Sequence, residues 1–463
     1  IRPPFHTECY LAEPKCSGKN VSHQVVAIKQ KVKVQVNDLP NFGLLRGSHF
    51  SHVISSYLVS WRTKLAPEGS PYWQAATTRA RKRPIITRQA KDPHRKQATC
   101  ARHCRMQVAR SIGINVDRIL CSITAFRYHQ VPPQVLALYP PMPDTFRDPV
   151  HRNISRSPIV TDLLKAPIHK LSSTRKPNRT SRLYRTHSLS RELPFGSVLD
   201  TNHNFQVTSP ALTLLGLAAQ LAPAQLLMAT YELCGTYSAF MPCERAESLL
   251  SEALAQRLLT PFDGWRRVAG SSGSPLDLWE RSPLLNVEEL KKTTLQLEGF
   301  HGVKRLRWAA SHMTGVCASP FEAQVSILLG LPKASGGLGL AFTNNRRIEL
   351  SGQAQALYQK TCCYADLFFE GTETRRPIAL ECQGASVHGG EAASLNDAAR
   401  TAALQLMGVE VIPITHEQIR QPDGWSAIKR LLELKLEVDT GKAPRQKRAE
   451  TNLRYDLFER SIA

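Results

Sequence analysis

Two apolar runs near the end of the chain each carry a single carboxylate, and no other feature restricts the fold as strongly. The run at 361–369 holds Asp366, and Ile378–Gln383 holds Glu381 fifteen positions later. The residues between them are few enough for a hairpin to lay the runs side by side as strands. Strand side chains alternate, so Ile378, Leu380 and Cys382 are expected on one face and Ala379, Glu381 and Gln383 on the other. In the preceding run, Cys363, Ala365, Leu367 and Phe369 share one side, leaving Cys362, Tyr364, Asp366 and Phe368 opposite. A lone carboxylate among Cys, Tyr and Phe is costly unless it is paired, protonated or bound to a cation. Metal binding is the reading that also explains Glu381 on the neighbouring strand.

The chain has 463 residues and 42% hydrophobic content, enough for two or three domains with real cores. Its net charge of +22 is uneven: residues 1–200 hold 33 Lys or Arg against 11 Asp or Glu, and residues 201–463 hold 27 of each. A basic half beside a balanced one points to a polyanion, with nucleic acid as the default partner. The alternative is a solvated basic arm with no fold of its own. Its densest stretch runs through Arg79, Arg81, Lys82, Arg83, Arg88, Lys91, Arg95, Lys96, Arg102 and Arg105. No run of ~20 apolar residues is present and the opening residues lack a signal-peptide core, so no membrane span and a cytoplasmic location are expected. The eleven cysteines are scattered, which suits free thiols better than a disulfide framework. Cys100, His103, Cys104 and Cys121 invite a zinc reading, but their spacing matches no standard module.

Along the chain, only residues 25–36, with Val26, Ile28, Val32, Val34 and Val36, read as a strand in the first sixty. Residues 61–191 show no sustained period. At Val207 the pattern changes. Ser209 and Pro210 form a helix start, and helices are predicted at 210–221, 223–234, 244–258 and 287–297. These make a small all-α domain. A second start at Ser319, Pro320, Phe321 and Glu322 reads as a capping box, with Phe321, Val325, Leu328 and Leu329 as its apolar stripe before Gly330 and Pro332. A Gly-rich connection leads to the two acidic strands. A helix at 393–407 follows, with Leu395, Ala399, Ala402 and Leu406 on one face, then a strand at 409–414 and a helix at 424–436. The expected organisation is a basic, poorly patterned region at 1–200, a helical domain at 201–313, an α/β domain of order α-β-β-α-β-α at 314–440, and a mobile charged tail at 441–463.

In motif order, 319–436 resembles the endonuclease-like domain related to very short patch repair (Vsr) endonucleases. The matching residues are Ser319-Pro320-Phe321-Glu322 with Gly330-Leu331-Pro332, then Tyr364-Ala365-Asp366-Leu367, then Ile378 to Glu381 followed by Gly384 and His388. Asp397, Arg400 and Leu404 come next, then Gly408, the strand at 409–414 and Thr415. The resemblance spans about a quarter of the chain. It implies a restriction-endonuclease-like core that cleaves DNA phosphodiesters with Mg²⁺ held by Asp366 and Glu381, and a site drawn from Glu322, Asp366, Glu381, Gln383, His388, Asp397 and Arg400. The helical stretch from Val207 is similar to the segment that precedes this domain in AbiEi-type antitoxin or regulator relatives. One departure matters: Gln383 stands where a Lys usually completes the Asp, Glu-x-Lys set. An amide positions water but brings no positive charge to the transition state, which leaves a noncatalytic DNA-binding regulator as the alternative.

Several of these residues also have plainer readings. Glu322 is the third helical residue of its own capping box. Glu381 has Arg375 and Arg376 across the hairpin as ion-pair partners. Asp397 and Arg400 are spaced for a surface pair on one helix. His388, in a Gly-rich loop, is either a proton carrier near the phosphate or simply exposed.

Overall fold

The computed structural model describes residues 118–142, 154–172, 182–189, 191–259, 264–270, 273–384 and 390–460. The first sheet begins within the region that showed no pattern. Strand β1 (Ile119–Leu120) is followed by α1 (Ser122–Gln130), α2 (Pro133–Leu136), β2 (Ile168–Ser172), β3 (Tyr184–Ser188), β4 (Val198–Asp200) and β5 (Gln206–Thr208). These five strands form one sheet in the order β3-β2-β1-β5-β4, and the β4–β5 pairing crosses position 200. The expectation of an unpatterned region therefore needs correcting for its last part. Strands of two to five residues are too short for a hydrophobic period to register. The basic stretch 79–105, the strand at 25–36 and three of the four zinc candidates lie outside the described residues. The fourth, Cys121, is a buried free thiol.

The helices that follow are α3 (Pro210–Ala218), α4 (Pro223–Cys234), α5 (Glu244–Ala255), α6 (Val287–Gln296) and α7 (Val303–Ser311). The first four begin where the sequence predicts, with Ser209 capping α3 through Leu212 N and Asn286 closing a capping box on α6, while α7 is an additional helix. The segment is not all-α, however. Strands β6 (Tyr237–Ser238), β7 (Arg266–Ala269) and β8 (Pro275–Glu280) form a second sheet in the order β6-β8-β7.

The third sheet belongs to the acidic strands. Helix α8 (Pro320–Gly330) is capped by Ser319 and buries all of Phe321, Val325, Leu328 and Leu329 as predicted. The Gly-rich connection contains β9 (Thr343–Glu349) and α9 (Gly352–Tyr358), which the sequence reading lacked; then come β10 (Cys362–Phe369), β11 (Ile378–Gln383), α10 (Gly390–Leu406), β12 (Glu410–Thr415), α11 (His416–Arg420) and α12 (Pro422–Leu436). The expected α-β-β-α-β-α order thus has an additional strand and two additional helices. Strand β9 is an edge strand of sequence Thr-Asn-Asn-Arg-Arg-Ile-Glu, with Ile348 its single apolar residue, and such a strand shows no alternation to read. The sheet order is β12-β11-β10-β9, antiparallel except for the β11–β12 pair.

Two further expectations are corrected. Helix α10 does not bury Leu395, Ala402 and Leu406; Leu395 and Leu406 are exposed, while Ala403 and Leu404 are fully buried with Ala399 and Met407 beside them. The inward face is turned so that Arg400 points at the sheet end. The charged tail is also structured. Residues Pro444–Phe458 form α13, anchored by buried Leu453 and Leu457 and by the Trp425 indole donating to Glu450 at 2.5 Å. Lys442 pairs with the same carboxylate at 3.3 Å. Each buried Leu contributes about 2 kcal/mol by transfer alone, which outweighs the propensity of a charged sequence to stay solvated. One core joins Leu214, Leu227, Leu306, Leu328, Leu380 and Leu457, so the helical segment and the acidic sheet share their interior.

Candidate functional site

Antiparallel pairing of β10 and β11 sets the site. The register Leu367↔Leu380, Phe368↔Ala379, Phe369↔Ile378 brings Asp366 and Glu381 to the same end of neighbouring strands. The expected alternation holds on β11, where Ile378, Leu380 and Cys382 pack into one core and Ala379 into the opposite one. It fails on β10. Cys363 and Ala365 join the core under α10 together with Phe368, whereas Leu367 and Phe369 face α8. The parity therefore breaks at Asp366. Its neighbour across the ladder, Asn345, has φ +48, a left-handed conformation suited to such a break.

The break has a local cause. Asn344 is buried and bridges three elements: its side-chain amide donates to Ser326 Oγ on α8 at 2.7 Å and to the carbonyl of Asp366 at 3.2 Å, while Thr314 donates to its oxygen. Ser326 in turn donates to the Glu322 carbonyl at 2.7 Å. This chain of bonds holds the Asp366 backbone against α8. Released from regular pairing, the Asp366 carboxylate accepts the Cys382 N–H at 2.7 Å.

Glu322 approaches from α8. The Ser319 hydroxyl accepts from Glu322 N at 3.2 Å, as a capping box requires, but the Glu322 carboxylate reaches back to Ala318 N at 2.8 Å instead of Ser319 N. It is 6% exposed. Glu381, 5% exposed, pairs one oxygen with Arg400 of α10, whose guanidinium also donates to the Tyr364 carbonyl at 3.1 Å. Neither arginine of the hairpin is its partner, and the pair expected between Asp397 and Arg400 gives way to this cross-element one. The second oxygen of Glu381, Oε1, is buried with no hydrogen-bond partner. An orphaned carboxylate oxygen in a buried site costs on the order of 1–3 kcal/mol or more if nothing meets it.

The electrostatics follow from this crowding. Burial first, then the nearby Asp366, push Glu322 up to about 8, and the same two causes in the same order push Glu381 up to about 7. Burial also raises Asp366, against the pull of the Cys382 N–H and Arg400. Desolvation works to lower Arg400, but Glu381, Asp366 and Asp397 together hold it above its ordinary value. Three carboxylates thus face one guanidinium. Without a further cation, at neutral pH the cluster keeps protons it would lose in water.

All of these groups open into one cleft of about 1130 Å³. Glu322, Asp366, Glu381, Gln383, Asp397 and Arg400 line it, so the structure brings together six of the seven residues singled out by sequence; the seventh, His388, lies outside the described residues. The far wall comes from the β7–β8 sheet, with Leu276, Leu278 and Arg281, and carries two more acids, Asp277 and Glu280. Arg281 is held by carbonyls of Glu232, Gly235 and Ser282. Sequence reasoning missed this wall and also His416, the first residue of α11, which faces the same cleft.

The donor set suits a hard divalent cation. Carboxylate oxygens, an orphaned one among them, and an excess of acid over base in the lining are what Mg²⁺ accepts, together with several waters. Among the described residues no group of three or more His, Cys, Asp or Glu converges closely enough to hold an ion on side chains alone. Asp366 and Glu381, which end up side by side on neighbouring strands, are the residues that would hold such an ion, with water supplying the rest of the shell. No helix among the described residues is long and apolar enough to cross a membrane. No protein-family model, curated protein or solved structure matches this chain.

Proposed function

We propose that this chain is a Mg²⁺-dependent DNA endonuclease of the cytoplasm, built on a restriction-endonuclease-like core of the Vsr type. The observation that carries the reading is the buried, unpartnered Oε1 of Glu381 in a cleft where Asp366 lies one strand away and acids outnumber bases. Bound there, Mg²⁺ would lower the pKa of a water and offset the charge that develops on the phosphate. Arg400 keeps Glu381 oriented through its other oxygen, which leaves Oε1 without a protein partner in the wall of the cleft. The Cys382 N–H does the same for Asp366. Gln383, at the end of β11 and lining the cleft, places a water by accepting and donating hydrogen bonds. Glu322, held close to neutral by burial and Asp366, stores a proton at the edge of the cluster.

Gln383 also favours a second reading, a noncatalytic DNA-binding regulator of the antitoxin type. Gln383 stands where that Lys would be, and Arg400, a cation beside the carboxylates, is already engaged by Glu381. Nicking of supercoiled plasmid separates the two. The endonuclease reading expects Mg²⁺- or Mn²⁺-dependent nicking that is lost in Asp366→Ala and Glu381→Ala. Plasmid retained by the full chain, with no nicking and no calorimetric heat of divalent-metal binding, would establish the regulator instead.

A further inference from the structure

His416 is the one imidazole of the described residues that lines the acidic cleft. The β11–β12 register pairs Gln383 with Thr415, which places His416 one residue past Gln383's partner, at the cleft end of the sheet. Thr415 caps α11 by accepting from Gln418 N, so the backbone at His416 is set by a local bond. The ring is held edge-on between Phe321 of α8, at a centroid distance of 5.4 Å, and Phe458 of α13, at 5.7 Å. Among the described residues neither ring nitrogen has a hydrogen-bond or ion-pair partner. A polar ring clamped by two aromatic neighbours, half-buried and facing a cleft with its donor unspent, is pre-oriented for a ligand acceptor.

We propose that His416 is a substrate-contacting residue whose ring N–H donates a hydrogen bond to a non-bridging phosphate oxygen of a nucleic-acid strand in the cleft. The inference rests on the phosphodiesterase reading for the class of ligand. The charged groups around the ring are Arg420 and Glu417 on its own helix and Arg454, which lies over the Phe458 ring. Burial and Arg420 lower its pKa, so at neutral pH the ring is uncharged and makes a neutral bond, one that orients the phosphate without drawing it away from a cation held by the acids.

The test compares His416→Phe, which keeps the aromatic clamp and removes the donor, with His416→Gln, which keeps a donor and removes the ring. Binding of a fluorescein-labelled twelve-nucleotide strand and of its duplex to the full chain is read by anisotropy in Ca²⁺, beside the melting temperature. His416→Phe is expected to bind the preferred form about fivefold more weakly, the loss of one neutral hydrogen bond, at unchanged melting temperature. His416→Gln is expected to bind more tightly than His416→Phe while melting lower. Wild-type affinity in His416→Phe for both forms, or no binding of either form by the wild type, overturns the proposal. Plasmid nicking reports separately: if His416→Phe loses affinity and the wild type never nicks, the phosphate contact stands and the hydrolytic reading falls. If Asp366-dependent nicking occurs and His416→Phe binds normally, the reverse holds.

Discussion

Glu322→Gln is the substitution that most directly probes the crowded carboxylates. The side chain is 6% exposed, and burial with the nearby Asp366 moves its pKa from 4.5 to about 8. The folded chain therefore binds this proton more tightly than the unfolded one, so the contribution of Glu322 to stability falls as pH rises from about 4.5 to about 8. At roughly 1.4 kcal/mol per unit the full shift corresponds to about 5 kcal/mol, and sharing of protons with Asp366 and Glu381 reduces the expected loss to about 2–4 kcal/mol. Glutamine is nearly isosteric with the neutral acid and retains an oxygen to accept the Ala318 N–H. The variant should match wild type within about 1 kcal/mol at pH 5 and exceed it by about 2 kcal/mol or more at pH 8. Urea unfolding in EDTA at pH 5, 6, 7 and 8 measures both curves. Buried histidines with lowered pKa, such as His129 and His169, add stability over part of the same window, so the difference between the two proteins is what reads Glu322. Parallel pH profiles would show that Glu322 does not hold a proton in the folded state.

Two further outcomes follow from the same structure. Mg²⁺ at 100 times its dissociation constant should stabilise the chain by about 2.7 kcal/mol, with a larger melting shift at pH 8 than at pH 6 because protons on the raised Glu381 and Asp366 compete with the ion; a shift that is independent of pH, or that survives Asp366→Asn, would place the ion elsewhere. Leu457→Ala in α13, at a position only 6% exposed, should cost about 2–4 kcal/mol in chemical denaturation, and a cost below about 0.5 kcal/mol would mean the terminal helix is not part of the core.

The helix starts were legible because a cap is local chemistry. Ser209 with Pro210 and Ser319 with Pro320 carry their signals within four residues, and both helices begin where those signals stand. The pairing of β10 with β11 was legible for a similar reason: few residues separate the two apolar runs, and the antiparallel register brings Asp366 and Glu381 together. Strand β9 was illegible because an edge strand with a single apolar residue, Ile348, has no period. The inward face of α10 was misassigned because Leu395 and Leu406 fit a helical stripe as well as Ala403 and Leu404 do, and only the packed sheet distinguishes them.

Residue order alone thus dictated where α3 and α8 begin, which two runs pair, and that a pair of acids would sit on neighbouring strands. Long-range packing dictated the rest: the parity break that Asn344 imposes at Asp366, the capture of Glu381 by Arg400, the β7–β8 wall, the docked terminal helix and the placement of His416 between two phenyl rings. Each of these joins residues that are far apart along the chain or belong to different elements. Such contacts become favourable only when the intervening chain has folded, so no local pattern encodes them.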